Sequence, residues 1–118
     1  MRRKSATVLA LADYRTKHRT LYFTRQELNQ LLSLYSRHVA RGVWRDYAID
    51  HQDGMALFSV FRHTQEAPAY SIIKAAAAQA RPAEFIVQSG RQRLRVSQSL
   101  ADALQYFQSR PSLVLAEG

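Results

Sequence analysis

The sequence predicts an α+β domain in two layers, a mostly antiparallel sheet of four to five strands with an N-terminal and a C-terminal helix on one of its faces. Three observations carry this. The hydrophobic period is helical up to Gly42, alternates from Trp44 onward, and is helical again after Ser99. Asp53-Gly54 and Ser89-Gly90 fall between alternating segments, where short hairpin turns belong. The 118 residues are 47% hydrophobic and 22% charged, with only three prolines and four glycines, the composition of a globular domain.

The first helix is expected over residues 25–41. Thr24 is placed to cap the Glu27 amide while the Glu27 carboxylate reaches back, and Phe23 is placed to staple against Leu28. Leu28, Leu31, Leu32, Tyr35 and Val39 recur at helical spacing, and Gly42 supplies the stop. Two strands follow, residues 44–52 and 55–62, joined by the Asp53-Gly54 turn. That turn fixes the register, pairing Ile49 with Phe58 and Tyr47 with Val60 on an apolar face suited to the helices. The other face then carries Trp44, Asp46, Ala48 and Asp50 opposite His63, Phe61, Ser59 and Leu57.

Residues 64–68 read as a loop and 69–74 as a third strand rich in β-branched side chains. The alanine run 75–80 either extends that strand or forms a short helical turn, which alanine's propensity favours. A second hairpin spans 83–88 and 91–96 about Ser89-Gly90. In that register Phe85, Val87, Leu94 and Val96 share the core face, and Glu84, Ile86, Gln88, Arg91, Arg93 and Arg95 the opposite one. The last helix starts at a Ser99 cap, with Asp102 in the capping-box position and Leu100, Ala103, Leu104 and Phe107 as its buried stripe, and should end near Arg110-Pro111. The organisation is a basic flexible tail over 1–20, the α+β domain over 21–110, and a C-terminal tail over 111–118.

The formal charge of +8 divides unevenly: residues 1–20 hold six basic residues against Asp13, a net of +5, and residues 21–118 carry +3. The charge therefore describes the tail better than the domain. With no cysteine, disulfides and thiolate chemistry are excluded and a reducing cytoplasm is the expected compartment. The apolar run behind Met1, Arg2, Arg3 and Lys4 reaches only the bottom of the signal-peptide length range and is broken by Asp13 and Tyr14, so a tail is expected there, and no stretch approaches the length needed to span a bilayer.

No motif commits the chain to catalysis, so neither catalytic residues nor a cofactor nor a metal is expected. His51 and His63 fall on opposite faces and ends of the first hairpin, and His63 with Glu66 makes too few ligands for a metal. Asp46 and Asp50 read as a solvated sheet face. Two features are left for binding. Trp44, Leu57, Phe61 and His63 would mark a protein interface on the sheet face away from the helices, unless the tail or residues 113–115 fold over it. Arg91, Arg93 and Arg95 form a comb on one strand and, with Arg2, Arg3 and Lys4, offer a candidate polyanion site. No aromatic platform for bases stands beside them.

Phe-Thr-Arg-Gln-Glu-Leu at 23–28, Gly-Val-Trp-Arg-Asp-Tyr-Ala-Ile-Asp at 42–50, Phe-Ser-Val-Phe-Arg-His at 58–63, Pro68 and residues 70–74 together give the chain a pattern of its own. Over roughly residues 20–108 it resembles a family of small alphaproteobacterial proteins, domain-of-unknown-function family 2794. The resemblance implies a bacterial cytoplasmic protein and brings no activity, cofactor or site residue with it. The reading at this point is a non-catalytic binding or regulatory domain that meets a protein partner or a second copy of itself, without a membrane. The alternative is a nucleic-acid-associated regulator using the basic tail and the arginine strand.

Overall fold

Why a helix starts at residue 25 is visible in its first turn. The computed structural model describes residues 21–64, 66–76 and 83–108, and within it α1 runs Arg25–Ala40. The Thr24 amide donates to Glu27 Oε1 at 2.8 Å and the Glu27 amide to Thr24 Oγ1 at 3.1 Å, so the expected capping box closes. Phe23 is buried and Leu28 packs against the same core. At the other end the Gly42 and Val43 amides donate back to Val39 and His38 carbonyls, and Gly42 takes a φ of +76°, open to glycine and strained for any other residue. The tails and most of the alanine run lie outside the described residues; Ala75 closes the third strand.

Five strands follow: β1 Asp46–Gln52, β2 Met55–Phe61, β3 Tyr70–Ala75, β4 Glu84–Ser89 and β5 Gln92–Ser97. Each pairs antiparallel with its predecessor, so the spatial order repeats the chain order, β1-β2-β3-β4-β5. The α2 helix, Leu100–Gln108, then packs beside α1 on the same face, giving the expected α+β fold. The core on that face joins Leu31 and Leu34 of α1, Phe58 and Val60 of β2, Ile72, Phe85 and Val87, and Leu100, Ala103 and Leu104 of α2.

The first hairpin forms in the expected register, Ile49 opposite Phe58 and Tyr47 opposite Val60. Asp53 (φ 50°) and Gly54 (φ 74°) supply the two left-handed residues that this turn needs. The second hairpin differs. Ser89 pairs with Gln92, so the turn residues are Gly90 (φ 60°) and Arg91 rather than Ser89-Gly90. Val87 then pairs with Arg95 and Gln88 with Arg93, which leaves Leu94 as the extra residue of a β-bulge. The bulge lets Leu94 pack into the core and turns Arg95 to the same side, while Val96 moves to the outer face opposite Ile86.

Three further expectations are corrected. Trp44 does not begin β1; it precedes the strand and is 2% exposed in the helix-side core. There its ring stacks on His38 at 4.0 Å and meets Phe107 edge-on at 5.5 Å. The expected stripe of α1 holds at Leu28, Leu31, Leu32 and Tyr35 and gains buried Leu34, but half-buried His38 rather than Val39 continues it, and Val39 is left 40% exposed. At α2, Ser99 Oγ accepts from the Asp102 amide, but the Asp102 carboxylate does not return to Ser99. It takes Arg95 at 2.9 Å instead, and the Ser99 amide bonds Ser97 Oγ.

One long-range polar tie fixes α1 to the sheet. Lys74 Nζ reaches Glu27 Oε1 at 2.9 Å and the Tyr22 carbonyl at 2.8 Å, with both charged side chains largely shielded. The carboxylate that caps α1 is therefore also the partner of a β3 lysine.

Candidate interaction face

Alternation and register together decide what the sheet shows on the side away from α1 and α2. Direct pairing places Asp50, Leu57, Ile73, Ile86 and Val96 in one row across all five strands. The next row is Ala48, Ser59, Ser71, Gln88 and Arg93, and Phe61 lies opposite Asp46 beyond it. The outer face is thus an apolar band four strands wide beside a polar one. Ile73 and Ile86 are 8% and 5% exposed, Leu57 and Phe61 are half-buried, and Val96 is 46% exposed. In the polar row Ser59 and Ser71 hydroxyls meet at 3.3 Å.

Of the residues singled out for this face, the structure brings Leu57 and Phe61 together on it. His63 lies just past β2 and is exposed. Trp44 is absent from it, for the reason given above: its indole belongs to the opposite layer. Ile73 and Val96 were not assigned to it from the sequence. The doublet Ile72-Ile73 held the signal for the first, since adjacent strand residues face opposite ways. For Val96 the turn held no signal: with Gly90-Arg91 as the turn Val96 would still share the core face with Phe85, and it is the bulge at Leu94 that turns it outward.

The arginine comb is broken by the same bulge. Arg95 faces α2 and pairs with Asp102, whereas Arg93 is on the outer face and Arg91 in the turn, both exposed. The Asp102 carboxyl is held below its ordinary value by the Ser97 hydroxyl and then by the Arg95 guanidinium. Arg2, Arg3 and Lys4 lie outside the described residues.

The helix side holds the perturbed groups. Burial pushes the His38 imidazole below its ordinary value, against the opposing effect of its bond to the Leu34 carbonyl, and Arg41 and Arg37 push it further down. Burial, Asp46 and Tyr47 raise the Tyr35 phenol. The Trp44 indole Nε1 is buried with no hydrogen-bond partner among the described residues. These groups form an aromatic cluster with Tyr70, Tyr106 and Phe107. No group of three His, Asp or Glu able to hold a metal occurs among the described residues, and no helix there is long and apolar enough to cross a membrane.

Comparison with known proteins bears on this arrangement through one match. Residues 21–104 match the family described as "Protein of unknown function (DUF2794)". The chain belongs to that family. The match starts just before the α1 cap and ends within α2, so the DUF2794 region takes in both helices in part or whole and the entire sheet. No curated protein and no solved structure matches the chain.

Proposed function

We propose that this DUF2794 chain is a non-catalytic binding domain whose outer sheet face meets another protein. The observation that carries the reading is that β2, β3 and β4 are apolar on both sides. Phe58, Ile72 and Val87 face the helices, and their chain neighbours Leu57, Ile73 and Ile86 face away. An antiparallel sheet with one solvated face alternates apolar and polar residues, whereas strands apolar on both faces belong to sheets covered twice. Two helices cover one side. The outer face is shielded at Ile73 and Ile86 and open at its ends, and half-buried Leu57 and Phe61 with exposed Arg93 and Val96 are where a partner would meet it.

The test is site-specific photo-crosslinking in the living cell, with a photoreactive amino acid placed at Phe61, at Val96, or at Ser33 on the exposed side of α1. Protein adducts from the two sheet positions and none from Ser33 are expected. Adducts confined to Ser33, or none at any position, would overturn the reading. So would steeply salt-dependent binding of oligonucleotides that weakens on Arg91→Ala and Arg93→Ala, which would instead establish the nucleic-acid role.

A further inference from the structure

We propose that two copies of this chain join edge to edge through their β1 strands, antiparallel, about a two-fold axis that passes between their Ile49 residues. The two five-stranded sheets then run on as one. This site is distinct from the outer face and does not depend on it.

β1 closes one side of the sheet, so half of its backbone groups face no neighbouring strand. The two-residue turn at Asp53-Gly54 makes Gln52 and Met55 a hydrogen-bonded pair. Alternation from there points the amides and carbonyls of Tyr47, Ile49 and His51 away from β2. One bond records this directly: the Tyr47 amide donates to the carboxylate of its own neighbour Asp46, at 2.8 Å, rather than to a strand. The side chains at this edge are open in the single chain. Tyr47 is 39% and Ile49 38% exposed, and the exposed His51 ring lies 4.6 Å from that of exposed Tyr22.

The two edges of the sheet are protected unequally. β5 carries Arg93 and Arg95, follows Arg91 in the turn, and is interrupted by the bulge at Leu94. Charge and irregularity of this kind keep an edge from pairing. β1 pairs regularly along all seven of its residues and holds no lysine, arginine or proline.

That the partner is another β1 follows from its charge pattern. Centring the axis on Ile49 sets Tyr47 opposite His51 of the second copy, Ala48 opposite Asp50 and Asp46 opposite Gln52, and beyond the strand ends exposed Arg45 comes level with exposed Asp53. Symmetry repeats each pair. An axis on Ala48 sets Asp46 against Asp50, and an axis on Asp50 sets that carboxylate against itself. Larger shifts carry part of the strand past its partner. Like charges directly opposite each other destabilise a sheet and opposite charges favour it, so β1 is complementary to itself in one register. Pairing along one strand buries less than the roughly 800 Å² per partner of a standard interface, which sets dissociation in a range of about 1–100 µM.

Sedimentation equilibrium of the full chain, from about 1 µM to about 1 mM, should show a monomer–dimer equilibrium. Ile49→Pro removes an amide that faces away from β2 and spares the β1–β2 bonds, so it should weaken the dimer about tenfold or more while circular dichroism stays that of the native domain. The chain has no cysteine, so Ile49→Cys carries the sole thiol. On oxidation it should link two copies, because facing Cα atoms in such a pair lie about 5.5 Å apart, within disulfide reach. Ala48→Cys should not, since it faces Asp50. A monomer at every concentration would overturn the proposal, as would a dimer that ignores Ile49→Pro or links as readily from Ala48→Cys as from Ile49→Cys. So would a monomer in which a photoreactive residue at Ile49 crosslinks to a protein of another mass, which would give the edge to a different partner. The outer face is tested separately by the Phe61 and Val96 adducts.

Discussion

The two faces of the sheet are built from alternate residues of the same strands, yet they are finished differently. On the helix side, Phe58, Val60, Ile72 and Val87 are fully buried beneath Leu31, Leu34 and Leu104. On the other side Ile73 and Ile86 are nearly as shielded, but the row opens at Leu57 and ends in exposed Val96. The difference teaches that hydrophobic pattern specifies which residues want cover, and that only topology tells which of them receive it within one chain. Both described helices come back to one face, while the aliphatic row on the other is shielded at its centre and open at its ends.

The largest expected effect breaks the comparison at its sharpest point, the adjacent pair Leu57 and Phe58. Phe58→Ala should cost about 3–5 kcal/mol in urea unfolding, because it opens a cavity under both helices. Leu57→Ala should cost at most about 2 kcal/mol. Equal losses at the two positions would mean that the outer face is already as closed as the inner one.

The next effect belongs to the helix side alone. His38 has a folded-state pKa below its unfolded value of 6.5, so the unfolded chain binds the proton more readily. The stability this group confers is complete above that unfolded value and is lost as pH falls through the lower folded value. Asp102, also lowered, adds a second loss below 3.8. Acidification should therefore destabilise the domain in the first step, and emission from Trp44, the sole tryptophan and stacked on the imidazole, should change with it. His38→Phe should remove that step. A fluorescence titration with no inflection below neutrality would place His38 outside the cluster.

The smallest effect sharpens the contrast from the other side. Val96→Ser should alter unfolding by no more than about 0.5 kcal/mol, as at an ordinary surface position, while reducing the protein adducts formed from a photoreactive residue at Phe61.

How far the chain could be read before its structure was known follows from the chemistry of particular turns. Asp53-Gly54 offers two residues that tolerate positive φ, and the register of β1 and β2 follows from that pair. Thr24 and Glu27 announced α1 equally well. At the second hairpin a single glycine fitted either turn position, and the choice moved the pairing. The bulge at Leu94 has no local signature, since it is settled by packing of Leu94 and by the Arg95–Asp102 pair. Trp44 was misplaced because its alternation with Asp46 and Ala48 continues the strand pattern, whereas the chain there is still turning under α1. Of the candidate face, Leu57 and Phe61 were legible from the reliable turn. Ile73 and Val96 depended on pairing across strands that sequence spacing alone leaves undetermined.

The strand order has a consequence for how the molecule assembles. Because every strand pairs with the one before it, the sheet can grow by successive local closures, with no strand inserted between two others. Short closures lose little chain entropy before contacts form, so this sheet should fold faster than sheets of similar size whose strands pair out of order. Docking of the helices cannot be local: α1 ties to β3 through Glu27 and Lys74, and α2 brings Phe107 against His38 and Trp44 from the other end of the domain. Refolding followed at the single tryptophan would thus report the final closure rather than the growth of the sheet.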